Sequence, residues 1–298
     1  MTGTWVGFAL LSALFTTLRH IHIKNKCSHH PPEALLFTTR LAGAILITPF
    51  ALAEGLIFIR PAEFALFTAL TVVITAIAIL IQITLLQRED ISRSIPYLSF
   101  IPVFMIPMAW IMLRELPGPG AFAGIVLASA GAYIINLGSG TGILAPFRGI
   151  LSNKTIRFML FVSICLAFNT VADKIAIGAS SPLTYIFVWA WASSLVMLIF
   201  CLRRPGSQII ETLTDRHILL QSIFWIIAYS CQMFGIRAAF EIPSGVTYVK
   251  ALTLLNILGT VILGGAMFRE RHLFRKSIAT ALMVVGSILV ILASNRTH

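Results

Sequence analysis

The sequence predicts an all-α polytopic membrane protein, with ten transmembrane helices arranged as two inverted five-helix repeats. Composition is the first reason, because 58% of the 298 residues are hydrophobic and 11% are charged, against about 45–50% and about 25% in soluble domains. A soluble domain of this length cannot bury so much apolar surface in one core. The second reason is a succession of apolar runs long enough to cross a bilayer. The third is a set of short motifs that recur at a fixed offset.

Charge-free apolar runs define the predicted spans, each near the roughly 20 residues that a membrane helix needs. In order, the spans are 4–24, 34–53, 63–86, 94–113, 119–137, 156–177, 183–202, 217–237, 245–268 and 273–293. The first run has no basic segment before it and no small-residue cleavage site after it, so we expect a retained first helix and not a signal peptide. The connections are short, which leaves no room for a soluble domain.

Two kinds of motif repeat between the halves of the chain. One is an Arg-Glu pair that follows a long apolar span, and the other is a lysine with a proline eight residues later, near the start of each half. The repeated residues are Arg114-Glu115 with Arg269-Glu270, and Lys24 and Pro32 with Lys174 and Pro182. These motifs predict a first repeat at 1–137, a linker at 138–153 and a second repeat at 154–298. An odd number of helices per repeat inverts the second one, as in many secondary transporters.

This pattern resembles the ten-helix EamA-type members of the drug/metabolite transporter superfamily, over nearly the whole chain. The resemblance rests on the five-plus-five layout, on the two repeated lysines and Arg-Glu pairs, and on glycines in the helix after each pair. Those glycines are Gly124, Gly131 and Gly286. The resemblance implies a central cavity lined by spans 1, 3, 4, 6, 8 and 9, with spans 5 and 10 at the periphery. It identifies the superfamily better than the substrate.

The function that this layout predicts is secondary active transport of a small polar metabolite by alternating access. An exporter or exchanger of an amino acid or another organic anion fits best. Two alternatives stay open: a membrane-embedded enzyme, and a structural or receptor-like membrane protein that transports nothing. Short loops and dispersed acids disfavour the enzyme, and charged residues inside several spans disfavour the third class. No catalytic residue, cofactor or metal site is expected, since no phosphate-binding glycine loop, Ser–His arrangement or metal-ligand spacing occurs.

Lys250 in span 9 is the leading candidate for substrate binding, because a partly desolvated lysine attracts a carboxylate or phosphate strongly. The alternative is a lysine near a helix end whose ammonium group snorkels to the lipid headgroups. Phosphate-exchanging plastid relatives carry a Lys-Arg pair in span 9, but Ala251 follows here, which puts phosphate specificity in doubt. Neutral side chains that can orient a substrate, or equally bond a neighbouring helix, are Tyr97, Gln82, Tyr229, Gln232, Tyr248, Asn256 and Asn169.

The adjacent Asp173 and Lys174 lie towards the end of span 6. One interpretation is an interfacial pair in which the two residues satisfy each other or the lipid headgroups. The other is a carboxylate that binds a coupling proton or a substrate amine, since Asp173 is the acid nearest the middle of a span. Asn169 shares its helix face with Asp173, whereas Lys174 points about 100° away.

Three further ionisable residues fall inside predicted spans. Arg40 lies in the middle of span 2 and needs partners, which favours structural pairing over substrate contact. The repeat does not duplicate it, because Ala190 stands at the equivalent position. Arg19 and His20 lie in the second half of span 1; His20 titrates near neutrality when unperturbed, but a lone membrane histidine is more often packed and hydrogen-bonded. Tryptophans that fit an interfacial belt or lipid anchors are Trp189, Trp191 and Trp225.

The formal net charge of +11 comes from scattered lysines and arginines, which suit a lipid surface and not a nucleic acid. We expect a multi-pass protein of the plasma (inner) membrane and favour a monomer. Its orientation is a conflict between two indicators. The family resemblance implies cytoplasmic termini, whereas the lysines and arginines concentrate at the opposite connections, and the positive-inside rule then favours external termini. A reporter fused at His298 would decide between them.

Overall fold

The computed structural model describes residues 3–27, 29–88, 95–136, 154–203, 205–260 and 273–294. Within these residues the chain is α-helical with short turns, which confirms the prediction of an all-α protein. The helices are α1 (Thr4–His22), α2 (Pro32–Glu54), α3 (Pro61–Arg88), α4 (Ile101–Leu113), α5 (Pro119–Asn136), α6 (Lys154–Gly178), α7 (Pro182–Cys201), α8 (Gly206–Thr214), α9 (Arg216–Ala238), α10 (Gly245–Thr253) and α11 (Leu273–Ser294).

Proline and capping residues explain where several of these helices begin. Pro32, Pro61 and Pro182 each occupy the first position of a helix, where the missing N–H costs no hydrogen bond. Asp215 caps α9, because its side chain accepts a hydrogen bond from the His217 N–H at 2.7 Å. The short helix α8 lies between α7 and α9 and was not among the predicted spans.

Two predicted spans depart from a continuous α-helix. Span 4 begins as a 3-10 helix, Ile95–Phe100, before α4. Prolines in this stretch remove backbone donors and so disfavour regular α-helix there. Span 9 contains α10, a turn at Leu254 and a further helical stretch at 255–260, while 261–268 lies outside the described residues. A π-helical turn, Ile23–Cys27, prolongs α1.

The bundle has the length and surface of a membrane-spanning protein. Among the described residues, five helices are long and apolar enough to cross a bilayer: Pro32–Glu54, Pro61–Gln82, Lys154–Gly178, Pro182–Cys201 and Arg216–Ala238. Shorter apolar helices are Leu98–Leu113, Pro119–Ile134 and Ile278–Ser294. Large apolar side chains such as Phe50 (64% exposed), Leu66 (57%) and Ile199 (62%) cover the outside, as expected for a surface solvated by lipid.

Helices from the two halves of the chain interlock. The most extensive contacts join α5 to α11, α1 to α9, α2 to α7 and α3 to α6, while α4 packs on α6 and α1 on α10. One end of the bundle, which we call the Glu115 end, carries the α2–α3 and α6–α7 connections. These two connections meet there, since the N–H groups of Ile59 and Arg60 donate to the Ala179 carbonyl at 2.9 and 3.1 Å. The opposite end, which we call the His30 end, carries the α1–α2 connection and α8.

Glycines bring α5 and α11 into close backbone contact. A Cβ atom at Gly124 would lie 2.7 Å from the Gly286 carbonyl oxygen, and one at Gly131 would lie 2.7 Å from the Ala279 carbonyl oxygen. Small residues four or seven apart let membrane helices approach in this way. The family resemblance singled out these glycines, and the structure shows the contact that they make.

Candidate functional site

Arg40 is a buried cation within the bundle. Its side chain leaves α2 between α7 and α9, and the residue is only 6% exposed. The guanidinium carbon lies 4.8 Å from the centroid of the Trp189 ring and 4.1 Å from that of the Trp225 ring. Both distances are within the range of cation–π attraction. The expected structural partners of Arg40 are therefore aromatic rings, although its Nη1 atom has no hydrogen-bond partner among the described residues.

Trp189, Trp225 and Tyr229 form an aromatic wall beside Arg40. The Trp189 and Tyr229 ring centroids are 4.8 Å apart, and the Trp225 and Tyr229 rings stack at 5.4 Å. The prediction that Trp189 and Trp225 anchor the protein in lipid was wrong, since they are 2% and 5% exposed. Their rings turn inwards because the arginine needs desolvated partners. Trp191 is half-buried and donates to Thr48 Oγ1 at 3.1 Å.

A small recess adjoins the guanidinium group. Polar residues of its lining are Arg40, Thr75 and Ser193, and it has room for about one water molecule. Trp189 also lines it, and the indole Nε1, like Arg40 Nη1, is a buried donor without a partner among the described residues. Unsatisfied donors on two residues that line one recess favour an acceptor with negative charge, because burying them unpaired is costly.

Asn169 on α6 contacts the polar lining of the recess, and Gln82 lies on α3, seven residues after Thr75. The Asn169 amide donates from Nδ2 to Thr75 Oγ1 at 2.6 Å, which places it next to the recess. Its Oδ1 atom and the Gln82 Oε1 atom are buried, and no partner for either lies in the described part of the chain. Both residues were predicted from sequence as neutral hydrogen-bonding groups, and each retains an unused acceptor.

Asp173 is 3% exposed and accepts a short hydrogen bond at Oδ1 from the Tyr185 hydroxyl group. The same hydroxyl oxygen lies 3.2 Å from Thr71 Oγ1. Lys250, half-buried on α10, is close enough to act electrostatically on the Asp173 carboxylate. The interpretation of Asp173 and Lys174 as a mutually satisfied interfacial pair was wrong. Neighbouring residues on a helix point about 100° apart, and these two find different partners.

Lys174 instead forms an ion pair with Glu115 at the Glu115 end. The distance between Lys174 Nζ and Glu115 Oε1 is 2.6 Å, and the lysine side chain is 4% exposed. The second carboxylate oxygen of Glu115 accepts a hydrogen bond from the Ser244 N–H at 2.9 Å. Lys174 Nζ also lies 5.2 Å from the centroid of the Phe240 ring. These contacts fasten α4 to α6 and to the start of α10.

The remaining predicted substrate residues do not all meet at the centre. Tyr248 is 1% exposed and lies towards the Glu115 end, within electrostatic reach of Glu115. Asn256 accepts a hydrogen bond from Thr17 Oγ1 through its backbone carbonyl at 3.1 Å. Gln232 is half-buried on α9. Tyr97 belongs to the 3-10 helix before α4, and its side chain lies outside the described residues.

Arg19 and His20 have different surroundings. Arg19 Nε donates to Gln221 Oε1 at 3.3 Å, and Gln221 Nε2 makes a short hydrogen bond to Thr39 Oγ1, so this chain links α1, α9 and α2. The expectation that His20 is packed was wrong, since its side chain is exposed.

Sequence reasoning missed four residues that belong to these networks: Tyr185, Thr71, Thr75 and Gln221. One available signal was the spacing of aromatic residues. Tyr185 and Trp189, like Trp225 and Tyr229, stand four positions apart, which puts each pair on one helix face.

A helical bundle with a lipid-facing apolar surface and charged side chains between its helices has the character of a polytopic membrane protein with an internal functional site. Residues 3–137, which span the first predicted repeat, match the model of the EamA-like transporter family. This match bears out the resemblance stated from the sequence over that part of the chain.

The fold has a counterpart of known structure. A chain described only as a crystal structure of a protein superposes with a TM-score of 0.72 at 13% identity, covering 99% of this chain and 100% of that chain. At this identity the likeness shows the fold alone. No curated protein sequence matches the chain.

Proposed function

We propose that the protein is a secondary active transporter that moves a small amino acid or related organic anion by alternating access. The observation that carries the proposal is the position of Arg40. This buried cation lines a recess, and its Nη1 donor has no hydrogen-bond partner among the described residues. A substrate carboxylate would satisfy both this donor and the neighbouring Trp189 Nε1 atom. Because a guanidinium group presents donors in a planar fork, it suits carboxylate recognition.

An ammonium group on the same substrate has a matching acid. Asp173 and Arg40 both act electrostatically on Tyr229, so the carboxylate and the guanidinium group flank one aromatic side chain. We assign the substrate carboxylate to Arg40 and a substrate amine, or a coupling proton, to Asp173. Lys250 then serves as counter-ion of Asp173, and Asn169 and Gln82 offer acceptors. This assignment moves the anion-binding role from Lys250, where the sequence placed it, to Arg40.

The helix pairing supports the ten-helix inverted repeat as the transport scaffold. In a two-fold repeat, each predicted span corresponds to the span five places further along the chain. Under this correspondence the contact of α1 with α9 matches the contact of α6 with α3, and the contact of α4 with α6 matches that of α10 with α1. The α2–α7 and α5–α11 contacts convert into themselves. The glycine contacts follow the same rule, because Gly124 and Gly131 precede Ala279 and Gly286 by the 155 positions that separate the Arg-Glu pairs. We retain 1–137, 138–153 and 154–298 as first repeat, linker and second repeat.

Alternating access needs each end of the bundle to open in turn. The pair of Glu115 and Lys174 joins the two halves and would hold the Glu115 end closed. The repeat predicts an equivalent pair, Lys24 with Glu270, for closure of the other end; both side chains lie outside the described residues. We further propose residence in the plasma (inner) membrane, with the orientation to be read from a reporter fused at His298.

Flux measurements with purified protein in liposomes test the proposal. We expect counterflow of a labelled amino acid or organic acid, identified first by its ability to raise the thermal stability of the protein in detergent. Arg40→Lys should weaken apparent affinity at least tenfold, and Arg40→Met should abolish binding. Arg203→Met removes an exposed cation near the end of α7 and should leave flux unchanged. Failure of every metabolite class to bind or move would overturn transport in favour of a receptor-like or enzymatic role.

A further inference from the structure

Three potential metal ligands meet at the His30 end, where the α1–α2 connection contacts α8. They are His29, His30 and Glu211, and one ligand atom from each lies within 4.8 Å of the others. His29 and Glu211 are exposed, whereas His30 is 4% exposed. The rings of the two histidines lie side by side, with centroids 4.0 Å apart. Positions 29–30 and 211 are distant in sequence, so no ligand spacing could be seen there.

The hydrogen bonds of His30 leave one ring nitrogen available. Its Nε2 atom lies 2.8 Å from Asp215 Oδ2, and a carboxylate oxygen only accepts, so Nε2 carries a proton. Its Nδ1 atom lies 3.3 Å from Thr212 Oγ1, but that hydroxyl group donates its proton to the Gln208 carbonyl at 2.6 Å. With its single proton directed at the Gln208 carbonyl, the Thr212 hydroxyl group leaves the Nδ1 lone pair of neutral His30 at most weakly hydrogen-bonded. A metal ion or a proton satisfies it.

Asp215 supplies the support that a ligating histidine normally has. A carboxylate that accepts from the second ring nitrogen fixes the tautomer and raises the basicity of the ligating nitrogen. The carboxylate is itself held, since its Oδ1 atom accepts from the His217 N–H at 2.7 Å. This second contact caps α9, so the position of Asp215 does not depend on a metal ion.

We propose that His30 Nδ1, His29 and Glu211 bind a Zn²⁺-like first-row divalent ion at the His30 end. Two imidazoles and one carboxylate are a ligand set that suits Zn²⁺, with water in the fourth position. Ligand atoms around tetrahedral zinc are about 3.3 Å apart, closer than the present 4.8 Å. Zinc binding therefore requires the exposed side chains of His29 and Glu211 to rotate inwards towards the buried His30.

The ion would join the two halves of the chain, since His29 and His30 precede α2 and Glu211 belongs to α8. This end of α2 is opposite the end near Glu115 and Lys174. Metal binding therefore cross-links the His30 end and restrains any motion that separates the halves there. The binding site stands independently of the proposed transport; only the effect on flux rests on it.

The test uses the full chain in detergent, without a polyhistidine tag, and Zn²⁺ and Co²⁺ as probes. Calorimetry should show one Zn²⁺ per chain, and Co²⁺ should give the absorption bands of a tetrahedral site. His29→Ala and Glu211→Gln, both at exposed positions, should weaken Zn²⁺ binding at least tenfold. The asparagine of Asp215→Asn can still cap α9, but Zn²⁺ binding should weaken about 10–100-fold because the supporting carboxylate is lost. Glu54→Gln, at an exposed carboxylate on the end of α2, is the matched control and should bind normally.

Zn²⁺ binding unchanged in both His29→Ala and Glu211→Gln would overturn the site and assign the ion to other histidines. For the restraint, Zn²⁺ should slow flux in liposomes by wild-type protein and not by His29→Ala. If Zn²⁺ binds stoichiometrically but flux is unaffected, the proposed restraint is wrong and the metal site still stands. If the protein shows no flux at all, the proposed function is refuted, and the Zn²⁺ affinity is not affected by that result.

Discussion

Lys174 Nζ lies 2.6 Å from Glu115 Oε1, and this ion pair joins α6 to the residue that follows α4. A left-handed residue directs the glutamate there, because Arg114 has φ 58° and ψ 30° at the end of α4. Only a few per cent of non-glycine residues adopt positive φ, so the contacts of Glu115 must offset the backbone strain at Arg114. One carboxylate thus binds an ammonium group through one oxygen and the Ser244 N–H through the other.

Removal of either partner of this pair should destabilise the protein. We expect Glu115→Gln to cost about 3–5 kcal/mol, because it leaves a buried ammonium group unpaired. Exchanging the charges with Glu115→Lys and Lys174→Glu together should recover part of the loss, whereas either reversal alone should not. Thermal unfolding in detergent measures the effect. As a control, Glu63→Gln removes the more exposed pair between Glu63 and Arg60, which is worth about 0–1 kcal/mol. Equal losses in the two variants would contradict a special role for Glu115.

Alanine at the glycines between α5 and α11 should separate the two helices. A Cβ atom at Gly124 would lie 2.7 Å from the Gly286 carbonyl oxygen, and such overpacking costs about 1–3 kcal/mol. Gly7→Ala is the control, since no atom lies within 4 Å of its Cβ position and alanine favours a helix by about 1 kcal/mol. We expect Gly124→Ala to melt at a lower temperature than the wild type, and we expect no such decrease for Gly7→Ala. If both variants melt like the wild type, the close contact is absent.

Asp173→Asn should separate substrate exchange from proton coupling. Asparagine keeps the size of the side chain and accepts from Tyr185, but it cannot bind and release a proton. We expect counterflow to persist while accumulation driven by a pH gradient is lost. Glu241→Gln, at an exposed position outside the bundle centre, should retain both activities. Gradient-driven accumulation by Asp173→Asn would exclude this carboxylate from coupling and leave it a structural acceptor for Tyr185.

The Asp215 carboxylate at the His30 end predicts a dependence of stability on acid. Burial acts to raise its pKa, but hydrogen bonds from the His217 N–H and from His30 outweigh burial and hold the pKa below its usual range. A depressed carboxyl pKa stabilises the fold above about pH 4, and this contribution is lost as pH falls further.

We expect the melting temperature of the wild type, measured without divalent metal from pH 6 to pH 3, to fall more steeply than that of Asp215→Asn. Parallel curves for the two proteins would contradict the stabilising hydrogen bonds of the Asp215 carboxylate.

The helices were largely predictable from the sequence, whereas their contacts were not. Apolar runs bounded by charges predict α2, α3 and α9 to within a few residues, because the bilayer imposes length and composition. The nine-residue helix α8 was not predicted, since an amphipathic segment of that length lacks the long apolar run of a membrane span. Span 4 is irregular around Pro96, within the 3-10 helix, whereas Pro107 lies inside the continuous helix α4.

The candidate site shows the same division. Arg40 was recognisable as an unusual buried charge, but its partners Trp189 and Trp225 come from helices that meet it only in the folded bundle. Tryptophans in apolar spans are ambiguous by composition, because lipid interfaces and buried cations both select them. Asp173 and Lys174 were paired by proximity in sequence, although the helix turns them towards different neighbours. His30 and Glu211 carry no sequence signal of their contact.

The glycine contacts between α5 and α11 also limit how the halves move against each other. The α11 backbone can approach α5 closely only where α5 has a glycine. The two glycines that it contacts, Gly124 and Gly131, lie seven residues apart on α5. Sliding one helix along the other by a single residue, about 1.5 Å, would bring a side chain such as that of Met283 or Val290 into the gap. The contact therefore resists shear while permitting a small roll, so α5 and α11 would form the pivot in the proposed alternating access.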